Sequence, residues 1–425
     1  MSDEQIVAQL ADLTVTPIDE SVHTNTGYYY SGNYVYLTPP QIATAYNMPY
    51  HSGAGIKVGI ISFGGTFLQS DLNSTFSDYK TRGILPASVS APTITQVLLN
   101  GATGTSDSNA DGENILDITC IATLVPQANI TIYINTSSTT VANVRSTIAR
   151  AVSDGCDVIS MSWTFSESGG DFLSSQLQSA NSNNIAFVNS SGDLGSDSGN
   201  VLAVNYPPSS PYMIAVGGTH LTINTGTNTR LTETTEQDDS TFGSTFGSGG
   251  GFSSIFSAPS WQSGLQYQTY NSSTHVTGAL TSVTARGIPD ISGPMANAYA
   301  FYTSGTLSGV GGTSASTPVM AGMIARIKAL TGKALGSVAY NQLFYANPTA
   351  FYDITTGTNA TAIAQGYASR VGWDPVTGMG APNGYSLLSL IQSLRSNQGM
   401  TFPRQSSIRP NQGQTFPRSN TRFKH

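Results

Sequence analysis

The chain of 425 residues is poor in charge, in cysteine and in long apolar runs, and each shortage narrows what it can be. Charged residues make up 10% of it, against about 25% in an average soluble protein. With 17 Lys and Arg against 24 Asp and Glu, the net charge is −7, which excludes nucleic acid as the main partner. Ser, Thr, Gly and Asn fill the gap, so the surface is neutral and polar, and it loses little when acidified. No apolar run approaches the ~18 residues needed to cross a bilayer, so no membrane span is expected. The first ten residues hold neither a basic patch nor an apolar core and do not read as a secretory signal. Cys120 and Cys156 are too few for a disulfide framework and are expected as buried free thiols. Six Asn-X-Ser/Thr sites, at Asn73, Asn129, Asn135, Asn189, Asn271 and Asn359, are latent acceptors only.

Three regions differ in composition. Residues 1–36 form an acidic extension with Asp3, Glu4, Asp12, Asp19 and Glu20, and no Lys or Arg precedes Lys57. Residues 37–395 alternate like a packed α/β domain. Residues 396–425 hold no acidic residue, and the segment Asn397 to Arg404 recurs with small changes as Asn411 to Arg418. A short basic repeat with Pro and Gly reads as disordered. In the middle region, β-branched runs at 57–62, 129–134, 157–162 and 185–189 read as buried parallel strands. Helical patterns lie between them at 112–125, 141–154 and 172–182. Strand–helix–strand order predicts a parallel sheet with helices on both faces, with ligands beyond the carboxyl ends of strands.

Three segments carry acid and hydroxyl chemistry. Glu113 and Asp117 are i and i+4 on one predicted helix, so both carboxyls emerge on one face. Two carboxyls held that close share a proton, and such a pair can take a proton from a serine and return it. The bland alternative is a solvated acidic helix face. Ser314 follows a Gly-Gly-Thr turn and precedes an apolar helix, where Thr313, Ser314 or Ser316 could equally be helix caps with Pro318 in the first turn. Asp193 follows a strand in Ser191-Gly192-Asp193. If protonated it could donate to an oxyanion; otherwise it is a turn aspartate. The histidines are His23, His51, His220, His275 and His425, none in a context that supplies a neutral-pH serine protease base. A serine with three carboxyl partners and no suitable imidazole points to proteolysis in acid. Asp353 and Asp374, each beside glycine-rich turns, supply oxygen ligands of the kind Ca²⁺ takes, or simply two turns.

Together these segments resemble the sedolisins, the serine-carboxyl peptidases, and kumamolisin-like members in particular. Leu37 to Tyr46, Tyr206 to Thr219, Gly249 to Ser253, Pro259 to Gln262 and Arg286 to Asp290 recur in that family in this order. The resemblance covers roughly 37–395. It implies a subtilisin-like three-layer α/β fold with a central, mostly parallel sheet and helices on both faces. It further implies Ser314 as nucleophile, Glu113 as general base and acid, Asp117 as its proton partner and Asp193 as oxyanion donor. One structural Ca²⁺ would be held by the side chains of Asp353 and Asp374 and the carbonyls of Ile354, Arg370 and Gly372.

Departures matter too. Ser62 stands where some relatives have a glutamate that extends the proton network toward a tryptophan matching Trp163. Asn205 stands where kumamolisin-like enzymes can carry a pocket aspartate, so Asn205 and Trp163 are expected at the substrate pocket without a preference for basic residues. At most 36 residues precede the catalytic region where relatives have a long pro-segment, so restraint by compartment and pH is expected instead. The leading expectation is a monomeric acid endopeptidase acting on proteins or peptides. A tripeptidyl exopeptidase and a non-catalytic, particle-associated family member are the alternatives. The family suggests an extracellular or acidic compartment, although no signal peptide is read.

Overall fold

The computed structural model describes residues 5–6, 16–18, 28–31, 34–196, 202–235, 246–296, 299–361 and 365–394. The acidic residues of the N-terminal extension and the basic repeat lie outside the described residues.

The centre is an eight-stranded sheet. Its strands are Lys57–Phe63 (β1), Thr95–Leu98 (β2), Asn129–Asn135 (β3), Val158–Met161 (β4), Ala186–Ser190 (β5), Ile214–Ile223 (β6), Arg230–Thr235 (β7) and Ile291–Pro294 (β8). The order is β7-β6-β5-β4-β1-β3-β2, with β8 also on β6. Only β6–β7 is antiparallel; the other pairs are parallel. After β3 the chain crosses to the opposite side of β1, which makes β1 the switch point around which such sheets build their sites.

Alternation along each strand sends side chains into two cores. Ile60, Ile132, Val158 and Val188 enter one cluster, while Ile61, Tyr133, Ile159 and Phe187 enter the other. Burial on both faces explains why these strands are continuous apolar runs rather than polar–apolar alternations. The helices are Pro39–Ala45 (α1), Gln69–Thr81 (α2), Ser108–Leu124 (α3), Val141–Ser153 (α4), Ser174–Ser182 (α5), Thr313–Thr331 (α6), Ser337–Ala346 (α7) and Gly384–Ser393 (α8). Helices α3 and α6 pack in the first cluster through Ile121 and Met323; α4 and α5 pack in the second through Ile148 and Leu177. Cys120 and Cys156 are free and buried.

The segments expected as strands and helices match β1, β3, β4, β5, α3, α4 and α5 to within a few residues. Strand β6 escapes such a reading because Gly217, Gly218 and Thr219 break its apolar run, although all three are buried in it. Asn135, Asn189 and Asn359 are fully enclosed, which removes three of the latent glycosylation positions in the folded chain. Among the described residues no helix is long and apolar enough to cross a membrane.

Candidate active site

The carboxyl ends of β1, β4 and β5 converge on the first turns of α3 and α6. Just past β1, the carbonyls of Gly64 and Thr66 accept from Asn114 Nδ2 of α3 at 3.3 and 3.0 Å. Just past β5, Asp193 meets the first residue of α6. Ser162 follows β4 directly and stands between the two helices.

Helix α6 begins at Thr313, so Ser314 is its second residue and is 1% exposed. The reading of Thr313, Ser314 or Ser316 as helix caps does not hold. Gly312 is the cap, at φ 109°, and no side chain closes the helix end. Pro318 is likewise inside the helix, not in its first turn. A proline there has no N–H to offer the carbonyl four residues back, which is that of Ser314. That carbonyl instead accepts from Ser162 Oγ at 3.3 Å. The Ser314 hydroxyl points back across the same gap, 3.5 Å from the Ser162 carbonyl.

Glu113 and Asp117 are 0% and 1% exposed, so the solvated acidic face is excluded. Their helix is pressed on α6 where a Cβ at Gly322 would come within 2.7 Å of Leu124 Cδ1, so only glycine fits. Asp117 Oδ1 accepts from Ser162 Oγ at 2.8 Å, while Asp117 Oδ2 and both Glu113 oxygens have no partner. Burial pushes Glu113 well above the usual carboxylate range, and the neighbouring Asp117 pushes it further. The hydroxyls of Ser162 and Ser314 act the other way, so both lie close to Glu113, although the aligned bond of Ser314 goes to the Ser162 carbonyl. Asp117 is raised to about 8 by burial, against the Ser162 hydrogen bond. The pair therefore holds a proton in acid and near neutrality.

Asp193 meets the residue before Ser314 and lies near enough to the pair to raise Glu113 a little. Its Oδ1 accepts from the Thr313 amide at 2.7 Å and the Thr313 hydroxyl at 2.5 Å. A Cβ at Gly312 would overlap Asp193 Oδ2, so the glycine clears the space around that oxygen. Burial lifts Asp193 to about 6, with the Thr313 bonds opposing. Below that pH the group is a neutral acid with a proton to donate.

No imidazole serves this cluster among the described residues. His51 Nδ1 accepts from the Gly53 amide, His275 pairs with Tyr270, and His220 lies on β6. His23 and His425 lie outside the described residues. Ser162 and Thr313 were missed as site residues, since a serine after a strand and a threonine after a glycine pair look ordinary until folding joins them to Asp117 and Asp193.

At the expected substrate pocket, Asn205 Nδ2 donates to the Ser191 carbonyl at 3.1 Å, beside the Gly192 turn that leads to Asp193. Trp163 packs edge-on against Phe63 at 5.5 Å and its carbonyl accepts from Asn189. Ser62 donates to Asn114 rather than toward Trp163, whose buried Nε1 has no partner.

Away from this cluster, Asp353 and Asp374 reach one turn. Gly372 N donates to Asp353 and Arg370 N to Asp374, at 2.8 and 2.9 Å. Asp374 is wholly buried with only amide and hydroxyl donors from Arg370, Val376 and Thr377, and burial raises it to about 7. Ile354 is buried beside it, its carbonyl reached by Thr377. Among the described residues no three His, Cys, Asp or Glu side chains gather as a metal cluster.

Residues 100–344 match the model of the subtilase family. The chain belongs to the subtilase family. Within it the likeness is to the sedolisins. Kumamolisin of Bacillus sp. (strain MN-32) is 34% identical over 377 residues, covering 83% of this subtilase and 63% of kumamolisin. The subtilase thus spans less than two thirds of that relative's length. Tripeptidyl-peptidase sed1 of Aspergillus fumigatus is 35% identical over 214 residues, 46% of this chain and 32% of its own. The solved Pseudomonas sedolisin, a serine-carboxyl proteinase, superposes with a TM-score of 0.69 at 26% identity, over 88% of this chain and all of its own. The subtilase fold, with its parallel sheet between helical layers, is therefore shared with a sedolisin.

Proposed function

We propose that this subtilase is an acid-acting serine-carboxyl endopeptidase with Ser314 as nucleophile. The observation that supports this most is the buried, cation-free pair Glu113–Asp117 beside Ser314, with Asp193 bonded to the adjoining Thr313. Ser314 Oγ attacks the peptide carbonyl carbon while its proton passes to Glu113, and Asp117 shares the resulting proton load. Protonated Asp193 donates to the carbonyl oxygen as it becomes an oxyanion; ionised, it would repel that charge. Glu113 then returns the proton to the leaving amine, the C–N bond breaks, and Ser314 holds the acyl group as an ester. Water, deprotonated by Glu113, repeats the sequence and frees the acid. Asn205 and Trp163 line the approach to this centre in the same reading, with no carboxylate at Asn205 to select a basic side chain.

The reading includes one structural calcium ion. The residues fit it: Asp374 is a buried carboxyl with no cationic partner, and Asp353, Ile354, Arg370 and Gly372 add oxygen atoms on the same turns. Side chains of Asp353 and Asp374 and carbonyls of the other three would hold the ion, which supplies the missing positive charge.

The test is hydrolysis of a peptide library by the wild type and by Ser314→Ala, read by mass spectrometry across pH. Internal cuts between about pH 3 and 5 that vanish in the variant are expected. Full activity at about pH 7.5 would end the acid mechanism. Release of tripeptides from free N-termini alone would favour the exopeptidase seen among the relatives.

A further inference from the structure

Arg326 lies twelve residues beyond Ser314 on α6, roughly 18 Å along the helix. It is 5% exposed, yet no ion pair reaches it among the described residues. Its Nε donates to the Leu124 carbonyl at 2.8 Å, which closes the C-terminal end of α3. That bond uses one edge of the guanidinium. The Nη groups have no protein acceptor, and the Tyr50 ring lies 5.5 Å away as a flat neighbour. Burial lowers the group to about 10, which leaves it charged throughout acid and neutral pH, with no carboxylate acting on it. Elsewhere in this molecule a buried arginine meets a counter-charge: Arg286 forks on Asp290 at 2.7 and 2.6 Å.

Arg326 is the charged residue lining a cavity of about 220 Å³ whose walls include Met48, Ile84, Leu85 and Val89. No acidic residue lines it. A buried cation without a counter-charge is costly, and a planar guanidinium with free Nη groups matches a carboxylate fork. The apolar walls would leave a bare inorganic anion facing hydrocarbon, so the complementary ligand carries an apolar body. About seven water-sized groups fill such a volume, which sets the body at roughly six to eight heavy atoms.

We propose that this cavity binds an amphipathic monocarboxylate, with its head on the Nη groups of Arg326 and its hydrocarbon body against Met48, Ile84 and Val89. A free aliphatic acid and the C-terminal carboxylate of a peptide ending in an apolar residue share this chemistry. The site is separate from the hydrolytic centre and does not rest on the acid mechanism.

Calorimetry on the full chain, carrying Ser314→Ala so that peptides survive, tests the proposal with octanoate and N-acetyl-leucine as ligands. Octanamide, octylamine and N-acetyl-leucinamide are the controls. Binding of either acid at least about tenfold tighter than its amide, weakened as much in Arg326→Gln, is expected. Val89→Trp fills the half-buried rim without touching Arg326 and should abolish binding at unchanged melting temperature, which keeps the test valid if Arg326→Gln does not fold. Binding of octanoate alone assigns the site to free acids, and binding of acetyl-leucine alone assigns it to peptide ends. Equal binding of acids and amides, binding that survives Val89→Trp, or no binding of either acid at millimolar concentration would overturn it.

Discussion

Asp290 and Glu113 are both sealed in the core, but one faces a cation and the other faces an acid. Asp290 is enclosed with Arg286, and Tyr345 adds a hydroxyl bond to it at 2.9 Å. Glu113 and Asp117 meet each other and two serine hydroxyls. The first arrangement cancels charge and holds β8 and its preceding turn in place. The second prevents both carboxyls from ionising together, so it stores a proton that chemistry can use. Burial alone does not distinguish a structural carboxyl from a reactive one; the identity of the neighbour does.

Exchanging the neighbours should separate the two roles. Glu113→Gln is expected to lower kcat in acid by at least about 10⁴-fold while leaving the melting temperature equal or higher. Arg286→Met strands a buried carboxylate and should cost about 3–5 kcal/mol in denaturant unfolding, with the folded fraction still active. Equal loss of activity and stability in both variants would erase the distinction.

Asp193 sharpens it further. Asp193→Ala should lose about 10²–10³ in kcat through the missing donor. Asp193→Asn keeps a donor at every pH. It should lose less, and its pH–rate profile should no longer fall near pH 6, the value to which burial lifts Asp193. A profile identical to wild type would exclude Asp193 from the alkaline limb.

Stability should follow the same protons. Asp and Glu titrate near 3.9 and 4.3 when unfolded. The folded chain holds its protons longer, to about 6 at Asp193 and about 8 at Asp117. The stabilising contribution is complete below the unfolded values and is lost as pH rises through the folded ones. Between about pH 4 and 8 stability should fall, by up to ~1.4 kcal/mol per pH unit for each such group. Melting curves across that range measure it, and a steady rise would contradict the shared proton. The smallest effect concerns the other buried acid. Chelation should lower the melting temperature by several degrees in the wild type and not in Asp374→Asn.

Much of this was visible in the chain before folding. The apolar runs at 57–62, 129–134 and 185–189 announced a sheet buried on both sides. Ile115, Leu116, Ile118, Cys120 and Ile121 surround their helix with apolar groups, a sign that it is enclosed on every side. The i, i+4 spacing put Glu113 and Asp117 on one face. What stayed hidden were the joins. Asp193 and Thr313 are 120 residues apart in sequence, and Ser162 meets Ser314 across 152. Nothing in the sequence singled out Arg326, which α1, α3 and the segment around Ile84 enclose.

The amino-acid order alone determined the strands, the helices and the spacing of the acid pair, because those depend on contacts a few residues long. Which carboxyls keep their protons was decided only in three dimensions. Desolvation and the hydroxyl donors set that property, and they come from segments far apart in the sequence, 45 residues for Ser162 and Asp117 and 120 for Thr313 and Asp193.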